Sequence, residues 1–436
     1  MLSCTRARNV SARHPVDRAM IAANLYLALC ALGALGTFVG ASRGRSPPQL
    51  GALYWIVAWF VTETPLHHVA LSAMVTVIFA ALDVADHWQG WAGFGLVLAS
   101  WAVLVNMHLV ARRAPAAIGR ALEEGLGPGL RDAIPPDLAA AVGAQPPLGR
   151  WLHPLALHDR ARVERIRDLS YGPAGVRNRL DVYRPREGAR DCPVLLQIHG
   201  GAWVLGDKNA QGLPLMNALA ARGWVCVAPN YRLSPRATFP EHLVDCKLAL
   251  RWIREHIREY GGDPSFVAVT GGSAGGHLAA LVALTPNEPE YQPGFEDVDT
   301  RVQAAVPFYG AYDFLFHNGV DVSRARKPSF VETHVMKSGP REDRRCWERA
   351  SPIRWVNAEA PPFFVLHGAN DSLVWVEGAR AFVAALRQAS RRPVAYAELQ
   401  GAQHAFDVLH SLRCESAVDG VAAFLEWVRA RRARSA

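Results

Sequence analysis

Lysine is scarce in this 436-residue chain, and its cysteines follow no regular spacing. The seven cysteines, at positions 4, 30, 192, 226, 246, 346 and 414, show no paired or metal-ligand spacing, so we expect reduced, structural thiols. No zinc spacing, phosphate-binding loop or dinucleotide fingerprint occurs. The sequence therefore predicts no metal and no cofactor. Only four of the 47 basic residues are lysine, a bias typical of a GC-rich bacterial genome.

The net charge of +8 does not favour nucleic-acid binding. Basic residues cluster beside apolar segments and in the C-terminal tail, where Arg429, Arg431, Arg432 and Arg434 lie close together. Charge in these places suits an anionic bilayer surface better than a nucleic acid. We therefore expect a membrane, and no nucleic acid, as a partner.

Long apolar runs are concentrated before residue 112. Residues 20–41 and 88–111 are each long enough, at 1.5 Å per residue, to cross a hydrocarbon core of about 30 Å. Residues 68–84 are a third candidate, whereas 50–62 are apolar but short and could form a fourth span, a re-entrant segment or an interfacial helix. We predict an all-α membrane region over residues 1–113 with three or four spans. A helical lid and a cleaved signal peptide are the alternatives.

Arginines beside these segments bear on the orientation of the chain in the membrane. With four spans, the N-terminal arginines and Arg112-Arg113 share one side, opposite the smaller group between the first two spans. With three spans this asymmetry is nearly lost, and the C-terminal region would lie outside. Because basic loops stay inside, the four-span count predicts a multi-pass protein of the bacterial inner membrane with its C-terminal region in the cytoplasm. The other arginines counted are Arg6, Arg8, Arg13 and Arg18 on one side and Arg43 and Arg45 on the other.

A glycine-flanked serine follows a β-branched apolar run at residues 266–277. Gly271, Ser273 and Gly275 match the G-x-S-x-G elbow, in which a sharp strand-to-helix turn projects a nucleophilic hydroxyl above a sheet. In a chain with 36 glycines, an ordinary turn could give the same five residues. The context of the motif therefore decides its meaning.

Upstream, residues 193–198 predict a buried strand that ends in His199-Gly200-Gly201-Ala202-Trp203. A loop of this kind supplies backbone amides to an oxyanion hole, because glycines let N–H groups approach a developing negative charge.

Downstream, two strand exits offer an acid and a base in the chain order Ser, Asp, His that this fold uses. Residues 361–368 predict a strand followed by Asp371, and residues 394–399 predict another whose exit loop carries His404. The chain has 16 histidines, and a lone histidine is more often structural than catalytic. His277 and His367 are the competing bases, and Asp407 and Asp313 the alternative acids.

Together these motifs make residues from about 160 to 430 resemble an α/β-hydrolase of the hormone-sensitive-lipase-like carboxylesterase group. The resemblance also rests on Asn230 to Pro235, Phe239-Pro240 and Asp245. It implies a doubly wound, mostly parallel sheet and a serine esterase or lipase. It assigns nucleophile, orienting acid and base to Ser273, Asp371 and His404, the oxyanion hole to the amides of Gly201, Ala202 and Ala274, and support of that loop to His199 and Gly200.

Two positions depart from the pattern of this group. Ala202 replaces the usual third glycine, and Gly272 stands where an acidic residue commonly precedes the serine. Neither departure removes a catalytic group. They leave room for related enzymes such as arylformamidases, whose glycine loop also ends in an aromatic residue, here Trp203.

The expected domain organisation has three parts: a membrane region at 1–113, a linker at 114–159 rich in Pro, Gly and Ala, and a catalytic domain at 160–436. Within the last part, helices are predicted at 242–259 and 417–431. Residues 310–355 mix charge and aromatics, which predicts either a cap insertion or a solvated connection.

The sequence thus predicts a membrane-anchored serine carboxylesterase or lipase that hydrolyses short- to medium-chain acyl esters through an acyl-enzyme. Its substrate would be a small-molecule or lipid ester; the oligomeric state is not predicted. The alternatives are an arylformamidase or amidase that uses the same triad, and a catalytically silent membrane binding module.

Overall fold

The structure, a computed structural model, describes residues 18–42, 51–317, 320–321 and 329–435. Several arginines used to predict membrane orientation and three basic residues of the predicted cap lie outside the described residues. The orientation therefore stays a prediction. The residues concerned are Arg6, Arg8, Arg13, Arg43, Arg45, Arg324, Arg326 and Lys327.

The catalytic part is built on an eight-stranded sheet with strand order β1-β2-β4-β3-β5-β6-β9-β10. The strand β2 runs antiparallel to both β1 and β4, and every other pairing is parallel. The predicted doubly wound, mostly parallel sheet is confirmed. The strands are β1 (Val163–Ser170), β2 (Arg179–Pro185), β3 (Cys192–Ile198), β4 (Val225–Pro229), β5 (Gly262–Gly272), β6 (Ala304–Phe308), β9 (Phe363–Gly368) and β10 (Val394–Leu399), with β7 (Phe316–His317) and β8 (Val320–Asp321) in a separate hairpin.

Helices cover both faces of this sheet, and each face has its own apolar core. One core contains residues of α9 (Glu241–His256), α10 (Ala274–Leu284) and α12 (Val376–Ala389). The opposite core contains residues of α8 (Leu213–Ala220) and α13 (Leu412–Ser435). Because parallel strands are buried on both faces, they need this double cover. The helices predicted at 242–259 and 417–431 correspond to α9 and α13, the latter longer than predicted.

The start of the predicted linker belongs to the second of these cores. Residues Ala114–Leu126 form the amphipathic helix α5, whose Ile118 and Leu122 are buried with residues of α13. Gly125 packs so closely on β10 that a Cβ there would lie 2.6 Å from the Cα of Ala395. The expectation of a linker beginning at residue 114 is therefore wrong for this helix, because a 3.6-residue apolar period underlies its Ala- and Gly-rich composition. The rest of the interval contains α6 (Pro136–Ala141) and α7 (Leu148–Trp151).

The N-terminal region forms four helices, α1 (Arg18–Ala41), α2 (Gly51–Glu63), α3 (Pro65–Ala80) and α4 (Trp88–Ala111). Among the described residues, two helices are long and apolar enough to cross a membrane: α1, and the continuous helical stretch at 88–126 that begins with α4. Only 17% and 22% of their apolar windows are buried, so most of this apolar surface faces outward. The helices α2 and α3 are too short to pass the same test.

The segment predicted as a cap packs on the catalytic part in its described residues. It contains the β7–β8 hairpin, a π-helix at Val331–Met336 and α11 (Arg344–Arg349). Trp347 is buried, and the amide of Phe239 donates a hydrogen bond to the carbonyl of Val335 at 3.2 Å.

Candidate active site

Ser273 occupies a sharp turn between β5 and α10. Its backbone angles, φ 60° and ψ −121°, lie where residues other than glycine are rarely found. The flanking glycines are required by space: a Cβ at Gly271 or at Gly275 would lie 2.5 Å or 2.1 Å from the carbonyl oxygen of Ile198. The turn is held to the neighbouring strand because the Ser273 amide donates to the carbonyl of Phe308 at 3.0 Å.

His404 and Asp371 meet at the carboxyl ends of β10 and β9. The Nδ1 atom of His404 lies 2.7 Å from Oδ2 of Asp371, and both side chains are buried. The other carboxylate oxygen of Asp371 accepts bonds from the amides of Leu373 and Val374 at 2.9 and 2.8 Å. Burial alone would raise the pKa of Asp371, but His404 and the neighbouring His367 lower it well below its ordinary range. The carboxylate is thus charged and fixed where it can orient His404.

Tyr309, directly after β6, connects the serine turn with the histidine. Its ring lies 4.6 Å from the ring of His404 between centroids. Its hydroxyl is so close to Gly272 that a Cβ there would lie 2.6 Å from it, and the acidic residue common at this position would not fit. The structure thereby brings Ser273, Asp371 and His404 to one edge of the sheet, where ligands bind in open α/β folds.

The glycine loop after β3 lies against this turn. A Cβ at Gly200 would come within 3.2 Å of the Cβ of Ser273. The loop backbone follows an unusual course, since Gly201, Ala202 and Trp203 all have positive φ angles, of 113°, 51° and 62°. In the part of the chain that the structure describes, the amides of Gly201, Ala202 and Ala274 donate no hydrogen bond to a protein acceptor. They are therefore available for an oxyanion.

His199 supports the glycine loop through two contacts. Its ring is stacked on Tyr231 at 4.3 Å, and its Nδ1 donates to the carbonyl of Gly200 at 2.7 Å. Burial lowers the pKa of His199 to about 4, so the ring is neutral near pH 7. Gly200 is held a second time, because its amide donates to the side-chain oxygen of Gln211 at 2.6 Å.

The competing histidines have other partners. Trp203 Nε1 donates to His277 Nδ1 at 3.2 Å, so His277 Nε2 carries the proton that it donates to the carbonyl of Ala350 at 2.7 Å. His367 Nε2 lies 2.8 Å from the carbonyl of Val374 and 3.3 Å from Asp371. Both rings are buried and engaged in structural contacts.

The competing acids are also engaged elsewhere. Asp407 accepts a hydrogen bond from the hydroxyl of Tyr309, and burial raises its pKa. Asp313 accepts from the amides of Leu315 and Phe316 at 2.9 and 3.1 Å, which closes a local turn. Among the described residues, Asp371 is the acid that is hydrogen-bonded to His404, and neither Asp407 nor Asp313 shows such a bond.

Sequence reasoning missed several residues of this neighbourhood. Tyr309 and Gln211 contact the turn and the glycine loop, and Trp55 and Trp59 reach the His404 loop from the N-terminal region. No local motif marks any of them, since their contacts depend on the fold. Among the described residues, no group of three or more His, Cys, Asp or Glu side chains could hold a metal ion.

A doubly wound sheet with a strained serine between β5 and α10, and a histidine paired to an aspartate at later strand ends, defines the α/β-hydrolase class. A solved structure described as a truncated form of carbohydrate esterase from gut microbiota shares the fold. Its TM-score is 0.54 at 22% sequence identity, and the match covers 63% of this chain and 99% of that one.

Sequence comparisons then identify the family. Residues 180–386 match a family profile described as BD-FAE. The chain is 45% identical over 384 residues to the probable carboxylic ester hydrolase LipM of Mycobacterium tuberculosis, covering 86% of each chain. It is 40% identical over 385 residues to the esterase LipQ of the same organism, covering 87% of this chain and 86% of that one. The chain belongs to the family of carboxylic ester hydrolases that includes LipM and LipQ.

Proposed function

We propose that the chain is a membrane-anchored serine carboxylesterase in which Ser273, His404 and Asp371 form the catalytic triad. The observation that carries this proposal is a strained serine at the same sheet edge as a buried histidine–aspartate pair. Because Nδ1 of His404 is bonded to Asp371, Nε2 is the nitrogen left to accept the serine proton.

The proposed reaction proceeds through an acyl-enzyme. Ser273 Oγ attacks the ester carbonyl carbon while its proton passes to His404, and the alcohol then leaves with that proton. Water, deprotonated by His404, attacks the acyl-enzyme and releases the acid and the serine. In both steps the amides of Gly201, Ala202 and Ala274 would bind the oxyanion, each such donor contributing roughly 3 to 4 kcal/mol.

The first test is hydrolysis of p-nitrophenyl esters, from acetate to palmitate, by the detergent-solubilised protein and by Ser273→Ala. We expect activity on short- and medium-chain esters that the variant loses. Matched anilides and formanilides belong in the same assay, since faster turnover of these amides than of the esters would replace the esterase by the amidase alternative. No turnover of any substrate would support a silent binding module.

Membrane anchoring is the second part of the proposal. It is supported by the outward-facing apolar surface of α4 and of α1, and in α1 Leu32 is 67% and Phe38 71% exposed. A bilayer would cover such a surface. The match to LipM is longer than the whole of residues 160–436, so the likeness to this relative extends into the N-terminal region.

Cell fractionation tests the anchor, and reporter fusions test its orientation. After carbonate washing we expect the protein in the membrane pellet, whereas recovery in the supernatant would contradict the anchor. For a catalytic domain in the cytoplasm of a bacterial inner-membrane protein, a C-terminal green fluorescent protein will fluoresce and a C-terminal alkaline phosphatase will be inactive. The reverse pattern would place the domain outside.

A further inference from the structure

Two tryptophans of α2 donate hydrogen bonds to the loop that carries His404. Trp55 Nε1 bonds to the carbonyl oxygen of His404 itself at 3.0 Å. Trp59 Nε1 bonds to the carbonyl oxygen of Ala405 at 2.8 Å. Residues four apart share one face of a helix, so both indoles point at the same loop. A helix of the N-terminal region therefore contacts the backbone of the proposed catalytic base.

This loop has a conformation that needs external support. Ala405 has a φ angle of 66°, which alanine seldom adopts. His404 and Ala405 are buried, and an unpaired buried carbonyl is costly, so the Trp55 indole satisfies the carbonyl of His404. The carbonyl of Ala405 accepts both from the Trp59 indole and from the amide of Val408 at 3.2 Å. The ring of Trp55 also meets the ring of His404 edge-on, with centroids 6.2 Å apart and an interplanar angle of 75°.

Three contacts thus hold the His404 ring. Asp371 binds its Nδ1, Tyr309 packs at 4.6 Å, and Trp55 contacts it from α2. Only the contact from α2 comes from outside the hydrolase sheet and the loops at its edge.

The helix α2 is fixed to the catalytic part at its C-terminal end. Glu63 and Arg413 form an ion pair of 3.0 Å, with both side chains almost completely buried. Ser411 donates to Glu63 at 2.8 Å, and Arg413 donates to the carbonyl of Thr62 at 3.0 Å. The opposite face of the helix is open, since Leu53 is 64% exposed. One helix therefore joins the outer apolar surface to the His404 loop.

We propose that Trp55 and Trp59 are positioning residues, which hold the backbone of His404 so that its imidazole is aligned with Ser273. The N-terminal region then positions a residue of the active site in addition to anchoring the protein. This inference rests on the proposed role of His404 as the catalytic base. Small errors in the placement of a catalytic group are costly, on the order of 100-fold in rate for about 1 Å.

The test uses Trp55→Phe, Trp59→Phe and the double variant in the full-length protein. Phenylalanine keeps an aromatic ring and removes the N–H donor. Trp101→Phe is the matched control, because Trp101 donates its indole N–H to the hydroxyl of Ser72 at 2.8 Å, within the N-terminal helices. Saturating labelling with a fluorophosphonate counts functional sites, and kcat and KM for p-nitrophenyl butyrate are expressed per labelled site.

We expect the double variant to lose on the order of 10- to 100-fold in kcat per labelled site, each single variant less, and KM to stay unchanged. Trp101→Phe should remain within about twofold of wild type. An unchanged kcat per site overturns the inference, including the case in which the variants merely yield fewer labelled sites, since that is a folding effect. A wild-type protein that neither labels nor hydrolyses refutes the proposed function itself, and the inference with it.

Discussion

Ser273, Ala202 and Ala405 all adopt positive φ angles, and all three lie on the loops that would surround the reacting ester. Each such conformation costs on the order of 1 to 3 kcal/mol, and it persists only because the surrounding structure enforces it. At Ser273 the enforcing contacts are the close approach of Gly271 and Gly275 to Ile198. The strain at these three residues thus lies where the proposed chemistry needs exact placement of a hydroxyl and of backbone amides.

Substitutions at two neighbouring loop residues should have opposite effects. Ala202→Gly relieves a strained alanine, so we expect the free energy of unfolding to rise by up to about 1 kcal/mol with activity retained. Gly201→Ala would place a Cβ 2.0 Å from the carbonyl oxygen of Leu205, and we expect losses of both stability and activity. Denaturant unfolding and ester hydrolysis measure both. A loss of stability in Ala202→Gly, similar to that in Gly201→Ala, would contradict the described loop.

The identity of the orienting acid gives a second prediction at this scale. Asp371→Asn keeps the size of the side chain but removes the charge that faces His404, and we expect kcat to fall roughly 10⁴-fold. Asp313→Asn is the control, because the Asn carbonyl can still accept from the amides of Leu315 and Phe316, and it should leave kcat almost unchanged. A large loss in Asp313→Asn with an active Asp371→Asn would reverse the assignment.

The positions of the proposed catalytic residues at strand ends could be predicted from the sequence, whereas the contacts that support them could not. Ser273, Asp371 and His404 follow predicted strands in an order that the chemistry demands, and the structure places Asp371 against His404. Trp55 lies 349 positions from the carbonyl to which it bonds. No local pattern could have revealed that contact, because it depends on the packing of α2 against a distant loop.

Among secondary-structure elements, the central parallel strands were the most predictable. The strand predicted at 193–198 matches β3 to within one residue, because continuous apolar runs mark strands that are buried on both faces. The edge strand β1 was missed. Four of its eight residues are charged and only Val163 is buried, so neither a continuous nor a clearly alternating apolar pattern appears.

The helix α5 supplies a prediction at the scale of elements. Leu122 is fully buried in the core shared with α13, so Leu122→Ala should lower the free energy of unfolding by about 2 to 5 kcal/mol. Leu155→Ala, in the same interval of the sequence but 73% exposed, should change it by less than about 0.5 kcal/mol. Denaturant unfolding in detergent compares the two variants. Equal and small effects would mean that residue 122 lies in a linker after all.

On the scale of the whole molecule, buried neutral histidines couple stability to pH. Burial lowers the pKa of His199 and of His277 to about 4, and that of His242 to about 3, from an ordinary 6.5. Above pH 6.5 these groups are neutral in both the folded and the unfolded state. Below it the unfolded state takes up protons first, so their contribution favours unfolding increasingly down to the folded-state pKa.

His242→Asn isolates one such contribution. Between pH 6.5 and 4, we expect the free energy of unfolding of the variant to fall less steeply on acidification than that of wild type, by up to about 1.4 kcal/mol per pH unit. The comparison with wild type is needed because buried Asp407 and Asp419, whose pKa values burial raises, act in the opposite direction. The exposed His153→Asn is the control. Identical slopes for wild type and His242→Asn would contradict the prediction.

The molecule as a whole joins an apolar helical region to a hydrolase, and the junction lies at the sheet edge that carries the proposed triad. Arg413 and Glu63 close that junction, and the indoles of α2 extend it to His404.

The most direct test of the central claim is to locate the site of fluorophosphonate labelling in the full-length protein by peptide mass spectrometry. The proposed triad predicts one adduct, on Ser273, that is absent from Ser273→Ala and forms far more slowly in His404→Ala. Labelling at another residue, or undiminished labelling of Ser273→Ala, would contradict the assignment of the nucleophile.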